Sequence, residues 1–146
     1  MAEVNVMDLF RLDDKVAVVT GGSKGLGKSM ALGLAQAGAK TVICSRNQGD
    51  CDGVAEEISA ETGQESLGLA ADVTQEDQVT GLFEKVQDRF GGVDVLVNSA
   101  GINLRHPIED FPVTEFKQVM EINTTGTWLC CRAAASIMKA QKRGSV

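Results

Sequence analysis

A short apolar run followed at once by a glycine-rich loop constrains the fold of this chain more than any other feature. Residues 15–20 read KVAVVT, and residues 20–29 read TGGSKGLGKS. The apolar run is too short for a helix and is typical of a strand that is buried on both faces. A helix is predicted over residues 25–37, and its N-terminus therefore follows the strand directly and can attract an anion. The apolar positions of this helix form one predicted stripe: Leu26, Met30, Leu34 and Ala37.

The rest of the chain repeats the alternation of short apolar runs with helical segments. Further strands are predicted at residues 41–44, 66–71 and 93–97. Helices are predicted at about residues 50–62, 74–90 and 114–142. Thr74 and Thr114 are the predicted N-caps of the second and the third of these helices. This order indicates an α/β fold, a doubly wound, Rossmann-type parallel sheet with helices on both faces. The predicted domain covers residues 15–146, and residues 1–14 are predicted to form an N-terminal arm.

Composition and charge argue against several classes of function. The 146 residues carry a net charge of −6, whereas proteins that bind a nucleic-acid backbone need clustered Lys and Arg. The sequence has no apolar run of about 18 residues, and its first residues lack the pattern of a signal peptide, so we expect a cytoplasmic protein that does not contact membranes. The four cysteines form no C-x-x-C pair and His106 is the only histidine, so we expect no metal site. The cysteines, which we expect to be reduced and buried, are Cys44, Cys51, Cys130 and Cys131.

The glycine loop fits two kinds of phosphate ligand. Residues 22–29 satisfy the G-x-x-x-x-G-K-S pattern of nucleoside triphosphate sites, in which the Lys-Ser pair reaches the phosphates and a magnesium ion. In a dinucleotide site, Gly21 would allow the tight turn, and Gly25 and Gly27 would let the backbone approach a pyrophosphate. The strict G-x-G-x-x-G pattern is not met, so the loop alone leaves both ligands open.

The end of the second predicted strand favours the dinucleotide. Such a site reads the adenosine ribose about 20 residues past the glycines, and Ser45 and Arg46 occupy that place. An acidic residue there would repel a 2′-phosphate, whereas Ser45 removes the repulsion and Arg46 offers a planar, permanently charged group. Lys24, in the glycine loop, adds a second cation. We therefore expect NADP(H) as the preferred cofactor, with NAD(H) as the alternative.

Four motifs, in the expected order along the chain, resemble those of the short-chain dehydrogenase/reductase family. The glycine loop matches the family's T-G-x-x-x-G-x-G pattern, and Asp72-Val73 matches the pair that contacts the adenine ring. Residues 98–101, NSAG, match the N-N-A-G motif with Ser99 as the one departure, and Asn123 stands where the family has a helix asparagine. These motifs, together with the residues expected near the adenosine ribose, give the predicted cofactor-binding residues: Thr20, Gly21, Ser23, Lys24, Gly25, Leu26, Gly27, Ser45, Arg46, Asp72, Val73, Asn98, Ser99, Ala100 and Gly101.

The resemblance implies an NADP(H)-dependent oxidoreductase that transfers a hydride between nicotinamide and a secondary alcohol or ketone carbon. Asn123 is the implied catalytic residue, and it would hold a water in the proton relay. The family's catalytic serine and its Tyr-x-x-x-Lys have no counterpart, since the chain contains no tyrosine. We therefore expect the cofactor-binding half of a longer enzyme, inactive and poorly folded by itself, with a fifth strand opening at residues 143–146. The alternative is a dinucleotide-binding or sensing module without catalysis.

Substrate and assembly rest on a weaker resemblance. Leu9-Phe10 and residues 100–105 with Pro107 are similar to gluconate 5-dehydrogenases, which implies a sugar acid as the small-molecule substrate. Arg105 can pair with a substrate carboxylate, although a plain surface arginine is an equally good interpretation. The helix predicted at residues 114–142 carries more apolar residues than one face needs, and the resemblance assigns the surplus to a subunit interface, so that a dimer or tetramer is implied.

Overall fold

The central sheet has four parallel strands in the order β3-β2-β1-β4. The computed structural model of the protein describes residues 5–146, so the first four residues of the predicted arm lie outside the described part. The strands are β1 (Val16–Thr20), β2 (Lys40–Ser45), β3 (Ser66–Ala70) and β4 (Val95–Asn98). Every residue of β1 is buried, as the apolar run predicts for a central strand. A short 3-10 helix at Val6–Phe10 precedes the sheet and buries none of its residues.

Helices cover both faces of the sheet, which confirms the doubly wound fold. They are α1 (Gly25–Gln36), α2 (Gln48–Thr62), α3 (Glu76–Phe90), α4 (Val113–Met120) and α5 (Thr127–Gln141). Val19 and Ile43 pack with α1 and α2 in one apolar cluster. Their neighbours Val18 and Val42 point to the opposite face and pack with α3 and α5 in the other cluster. Among residues 5–146, no helix combines the length and the apolar character that a membrane span requires.

The predicted apolar stripe of α1 is wrong in its first half. Leu26 is 80% exposed and Met30 is 39% exposed, whereas Leu34 packs against the core. The buried residues of α1 are all small: Gly27, Ala31 and Ala35. The reason is the short distance between α1 and the turn after β1, because a Cβ on Gly27 would overlap the carbonyl oxygen of Gly21. A helix that lies so close to the backbone has room only for glycine and alanine on its inner face.

The predicted N-cap of α3 is also wrong. The hydroxyl of Thr74 donates to Asp72 Oδ1 at 2.8 Å, and its backbone N–H donates to the same oxygen at 2.9 Å. The helix begins at Glu76, and its N-cap, Gln75, makes no capping bond with its side chain. A local turn around the Asp72 carboxylate therefore competes successfully with the capping box.

The single helix predicted over residues 114–142 is interrupted. A π-helical segment, Glu121–Gly126, separates α4 from α5. Thr114 does not cap α4, whose N-cap is Pro112. Asn123 lies in the π-helical segment and bonds through its side chain to the backbone of Ile102. A contact between distant parts of the chain therefore accompanies the interruption, and periodicity could not have predicted it.

Residues near the C-terminus of the chain lie alongside β4, on the side away from β1. Ser145 forms a parallel bridge with Val95. Its backbone N–H donates to Asp94 O and its carbonyl oxygen accepts from Leu96 N, both at 2.9 Å. The start of a fifth strand, predicted at residues 143–146, therefore takes the form of one parallel bridge between Ser145 and Val95.

A buried carboxylate ties the start of β1 to the residues that follow α5. Asp94 is 8% exposed, and its Oδ2 accepts from the backbone N–H of Val16 at 3.0 Å. Its Oδ1 accepts from Arg143 Nε at 2.7 Å. Burial alone would raise the pKa of Asp94, but the hydrogen bonds from Arg143 and Val16, together with the nearby charges of Arg143 and Lys15, lower it overall. The ionised form is therefore the one that the fold stabilises.

We predict that Asp94→Asn destabilises the full-length protein by about 1–3 kcal/mol, because an amide facing Arg143 leaves a charge-assisted hydrogen bond unmade. The pKa of Asp94 is lower in the folded than in the unfolded state. Its contribution is therefore present above the ordinary carboxyl pKa and is lost as the pH falls through the folded-state pKa. Urea unfolding at pH 7 and at about pH 3 measures both effects. Asp88→Asn, an exposed change on α3, is the control. Equal stability of the two variants at pH 7 would contradict this role.

Candidate functional site

A crevice of about 670 Å³ lies at the carboxyl ends of the strands. Ligands of open parallel sheets bind at this edge, and the volume is in the range of small-molecule sites. The turns after all four strands surround it, together with the starts of α1 and α2. The lining residues are Gly21, Ser23, Lys24, Gly25, Leu26, Gly27, Cys44, Ser45, Arg46, Asn47, Asp50, Ala71, Asp72, Val73, Ser99, Ala100, Gly101, Ile102 and Ile122.

The turn after β1 is held against the turn after β4. Gly21 has a φ of +65°, and a Cβ added to it would lie 2.6 Å from the carbonyl oxygen of Ser99. The hydroxyl of Thr20 donates to Val97 O at 3.4 Å and accepts from Ala100 N at 3.3 Å. Thr20 is buried and does not line the crevice. It connects the two turns, and Gly21 allows their backbones to touch.

The N-terminus of α1 faces the crevice. The first backbone N–H groups of a helix have no intrahelical partners, and they lie at the positive end of its dipole. Gly27, in the first turn of α1, packs on Gly21 without a side chain between them. This glycine cradle, formed by Gly21 and Gly27, exposes backbone donors to a ligand. Its chemistry suits an anion such as a phosphate.

The residues that suggested a nucleoside triphosphate point elsewhere. Lys28 Nζ pairs with Glu57 Oε2 of α2 at 2.6 Å. The hydroxyl of Ser29 donates to the carbonyl oxygen of Gly25 at 3.2 Å, within α1. Neither side chain lines the crevice. The geometry therefore offers no support for the triphosphate alternative.

Two cations and one carboxylate meet where β2 ends and α2 begins. Lys24 Nζ lies 3.2 Å from Asp50 Oδ2, and the two side chains are 80% and 41% exposed. Arg46 also lines the crevice, and within residues 5–146 it forms no salt bridge. The side chain at the end of β2 itself is a hydroxyl, since Ser45 Oγ lies 3.1 Å from Cys51 Sγ. The charges at this corner of the crevice sum to one positive charge.

The third wall of the crevice follows β3. The Asp72 carboxylate accepts both hydrogen bonds from Thr74, and the backbone N–H of Asp72 donates to Gln78 Oε1 at 2.9 Å. Val73 is buried beside it. On β2, burial raises the pKa of Cys44 to about 12, so this thiol is protonated at neutral pH and adds no charge to the crevice.

Two further predicted site residues, besides Thr20, lie behind the crevice rather than in its lining. Asn98 donates through Nδ2 to Cys131 Sγ at 3.3 Å, while its Oδ1 is buried without a hydrogen-bond partner within residues 5–146. Asn123 accepts from Ile102 N through Oδ1 and donates to Ile102 O through Nδ2, both at 2.9 Å. Asn123 therefore holds Ile102, which does line the crevice.

The structure brings together all the predicted cofactor-binding residues except Thr20 and Asn98, which support the turns from behind. Sequence reasoning missed six lining residues: Cys44, Asn47, Asp50, Ala71, Ile102 and Ile122. A signal for two of them was present, since Asn47 caps α2 and accepts from Asp50 N at 3.0 Å. An N-cap directly after Ser45-Arg46 predicts that α2 also starts at the crevice. In the part of the chain that the structure covers, no cluster of His, Cys, Asp and Glu could hold a metal ion.

Comparison with known proteins gives consistent similarities over nearly the whole chain. The sequence profile of the family described as short chain dehydrogenase matches residues 15–146. An uncharacterised oxidoreductase of Staphylococcus aureus (strain MRSA252) is 37% identical over 134 residues, which are 91% of this chain and 56% of that protein. The chain thus spans about half the length of the curated relatives that it matches.

Two solved structures show the same fold with different nucleotides. A gluconate 5-dehydrogenase from Burkholderia cenocepacia, in complex with NADP and tartrate, superposes with a TM-score of 0.91 at 34% identity, over 96% of this chain and 55% of that one. An NAD⁺-bound xylitol dehydrogenase superposes with a TM-score of 0.87 at 32% identity, over 90% of this chain and 51% of that one. These likenesses extend over all four strands.

We predict that Gly27→Ala destabilises the full-length protein by about 1–3 kcal/mol, because its new methyl group overlaps the Gly21 carbonyl and forces α1 away from the turn. Gly33→Ala in the same helix is the matched control, since a Cβ there meets no atom within 4 Å. This control should be neutral or more stable by about 0.5–1 kcal/mol. Thermal unfolding measures both variants. Equal behaviour of the two alanines would show that the glycine cradle is not tightly packed.

Proposed function

The chain belongs to the short-chain dehydrogenase/reductase family, and from this premise we propose that it supplies the cofactor-binding part of an NADP(H)-dependent oxidoreductase. The proposal rests on one crevice in which the N-terminus of α1 and Arg46, which forms no salt bridge within residues 5–146, face the same space. The first attracts a pyrophosphate and the second a 2′-phosphate. When bound, the cofactor would exchange a hydride with a secondary alcohol or ketone carbon.

The residues of the crevice fit such a cofactor in order along the sheet. The glycine cradle would receive the pyrophosphate through the N–H groups of α1. Asp72 and Val73 form the wall that would face the adenine ring. The opposite side of the crevice is formed by the backbone and small side chains of Ser99, Ala100 and Gly101. The nicotinamide half of the cofactor can lie close to the chain there.

Arg46 and Ser45 favour NADP(H) over NAD(H). The two similar structures carry NADP and NAD⁺ respectively, so likeness alone does not choose between them. In this chain no carboxylate follows β2 directly, and Arg46 has its guanidinium free of salt bridges within residues 5–146. A free guanidinium binds a phosphate without first losing another partner.

Asn123 is the residue of this chain that we assign to proton transfer. It lies in a π-helical segment, and such segments occur frequently at functional sites. Both of its hydrogen bonds to Ile102 fix the crevice edge next to Gly101. The tyrosine that the family uses as its acid is not among these 146 residues. The acid and its lysine therefore belong to other parts of the full-length protein in this proposal.

A non-catalytic dinucleotide-binding module is the second candidate. It needs only the features that the crevice contains, because neither the N-terminus of α1 nor Arg46 depends on a catalytic acid to hold a nucleotide. Oxidation or reduction of the cofactor by the full-length protein distinguishes the two. The absorbance of the reduced nicotinamide follows the reaction in either direction. Turnover with any secondary alcohol supports the enzyme, and tight binding without turnover supports the module.

The substrate class that we propose is a sugar acid. Arg105 is exposed in the loop after Gly101, where a carboxylate can reach it. The neighbouring residue holds this loop on α4, since His106 Nε2 lies 2.7 Å from Glu115 Oε2 and its ring packs edge-on against Phe111. The similarity to a gluconate 5-dehydrogenase supports the same class.

The assembly that we propose is a homo-oligomer in the cytoplasm. A groove of about 340 Å³ runs between α3 and α5. Beside it, Trp128 is 55% exposed, and the guanidinium of Arg132 lies 4.5 Å from the centre of its ring. An exposed tryptophan paired with an arginine is typical of residues that anchor subunit interfaces.

We predict that Arg46→Asp lowers the ratio of NADPH affinity to NADH affinity by roughly tenfold to a hundredfold, since a charge-assisted bond is replaced by repulsion. Isothermal titration of the full-length protein with each cofactor measures the ratio. Lys85→Asp, the same reversal of charge at an exposed position of α3, should leave the ratio unchanged. An unaltered ratio in Arg46→Asp would show that Arg46 does not read the 2′-phosphate.

A further inference from the structure

An acidic residue stands at the corner of the crevice that the proposed function assigns to a 2′-phosphate. Asp50 lies in the first turn of α2, and the side chain of the N-cap Asn47 holds its backbone N–H at 3.0 Å. Its carboxylate reaches across the crevice to Lys24, at 3.2 Å from Nζ. The sequence motifs assigned Lys24 and Arg46 to the phosphate but gave Asp50 no role.

The Lys24–Asp50 pair changes the charge that a ligand meets. Lys24 and Arg46 would offer two positive charges, but Asp50 removes one of them. A phosphate monoester carries a charge of about −1.5 to −2 at neutral pH, so it gains less from this corner than the two cations alone would provide. Lys24 must also leave Asp50 before it can pair fully with a phosphate.

The other acidic residue of the crevice, Asp72, has different partners. Asp72 uses Oδ1 to accept both the N–H and the hydroxyl of Thr74 in a turn of its own. Asp50, by contrast, is partly exposed, and its partner in the crevice is a largely exposed lysine. Its carboxylate can therefore accept a hydrogen bond from a neutral ribose hydroxyl.

We infer that Asp50 is a specificity-determining residue that limits the preference for a 2′-phosphate. The inference rests on the proposed function, because it concerns the same nucleotide. Asp50 weakens NADPH binding by holding Lys24 and by repelling the phosphate. The 2′-hydroxyl of NADH carries no charge and meets no such repulsion. Asp50 therefore makes the ratio of NADPH affinity to NADH affinity smaller than Arg46 and Lys24 alone would make it.

A positioning role for Asp50 would give the opposite sign. If the carboxylate served to orient Lys24 towards the phosphate, its removal would weaken NADPH binding. If Asp50 opposes the phosphate, its removal strengthens NADPH binding. The sign of the change in NADPH affinity thus decides between the two roles.

The test compares Asp50→Asn with Glu56→Gln in the full-length protein, by isothermal titration with NADPH and with NADH. Glu56→Gln removes the same charge from an exposed position on the same helix, away from the crevice. We expect Asp50→Asn to tighten NADPH binding by about two- to fivefold, the size typical of exposed ion pairs, and to leave NADH binding unchanged or weaker. The gain should shrink at high salt and in a Lys24→Gln background.

Each outcome separates this inference from the proposed function. Unchanged or weaker NADPH binding in Asp50→Asn, while Arg46→Asp still lowers the NADPH to NADH ratio, overturns the inference alone. An equal gain in Glu56→Gln also overturns it, since the effect would then be one of net charge. Failure of the unaltered full-length protein to bind either nucleotide overturns the proposed function and the inference with it.

Discussion

The contact between the glycine turn after β1 and the first turn of α1 is the constraint on which the rest of the structure depends. Because Gly27 has no side chain, α1 lies against the Gly21 carbonyl, and its N–H groups open into the crevice. The same turn touches Ser99, so the ends of β1 and β4 are fixed together. One close packing arrangement thus orders the helix end that attracts a phosphate and the turn that closes the opposite wall.

The crevice combines this rigid centre with a charged corner that depends on individual side chains. Backbone groups in the glycine cradle offer the same donors to any dinucleotide, so they give affinity without choosing between cofactors. In the proposed function the choice falls to Arg46, Lys24 and Asp50, of which the last two are partly or largely exposed. Exposed charges interact weakly and change readily by substitution. In the proposed function the fold thus provides the binding, and a few surface charges adjust the selectivity.

Sequence reasoning succeeded where the signal was local and failed where a distant contact decided the outcome. The four strands were predicted to within about two residues, because buried parallel strands leave short apolar runs. The stripe on α1 was misplaced, because Leu26 is exposed and the helix packs through Gly27. The π-helical segment at Asn123 was missed, because no periodicity encodes its bond to Ile102. In the site, motifs located the cradle and Arg46, whereas Asp50 emerged only when folding placed it beside a lysine from another element.

Isothermal titration of the unaltered full-length protein shows whether the crevice binds a nicotinamide dinucleotide with a 2′-phosphate. NADPH, NADH and ATP with magnesium would be titrated side by side at one fixed salt concentration, since phosphate affinity depends on ionic strength. We expect the tightest binding for NADPH, weaker binding for NADH and no magnesium-dependent binding of ATP. Magnesium-dependent ATP binding without NADPH binding, or NADH binding tighter than NADPH binding, would contradict this expectation.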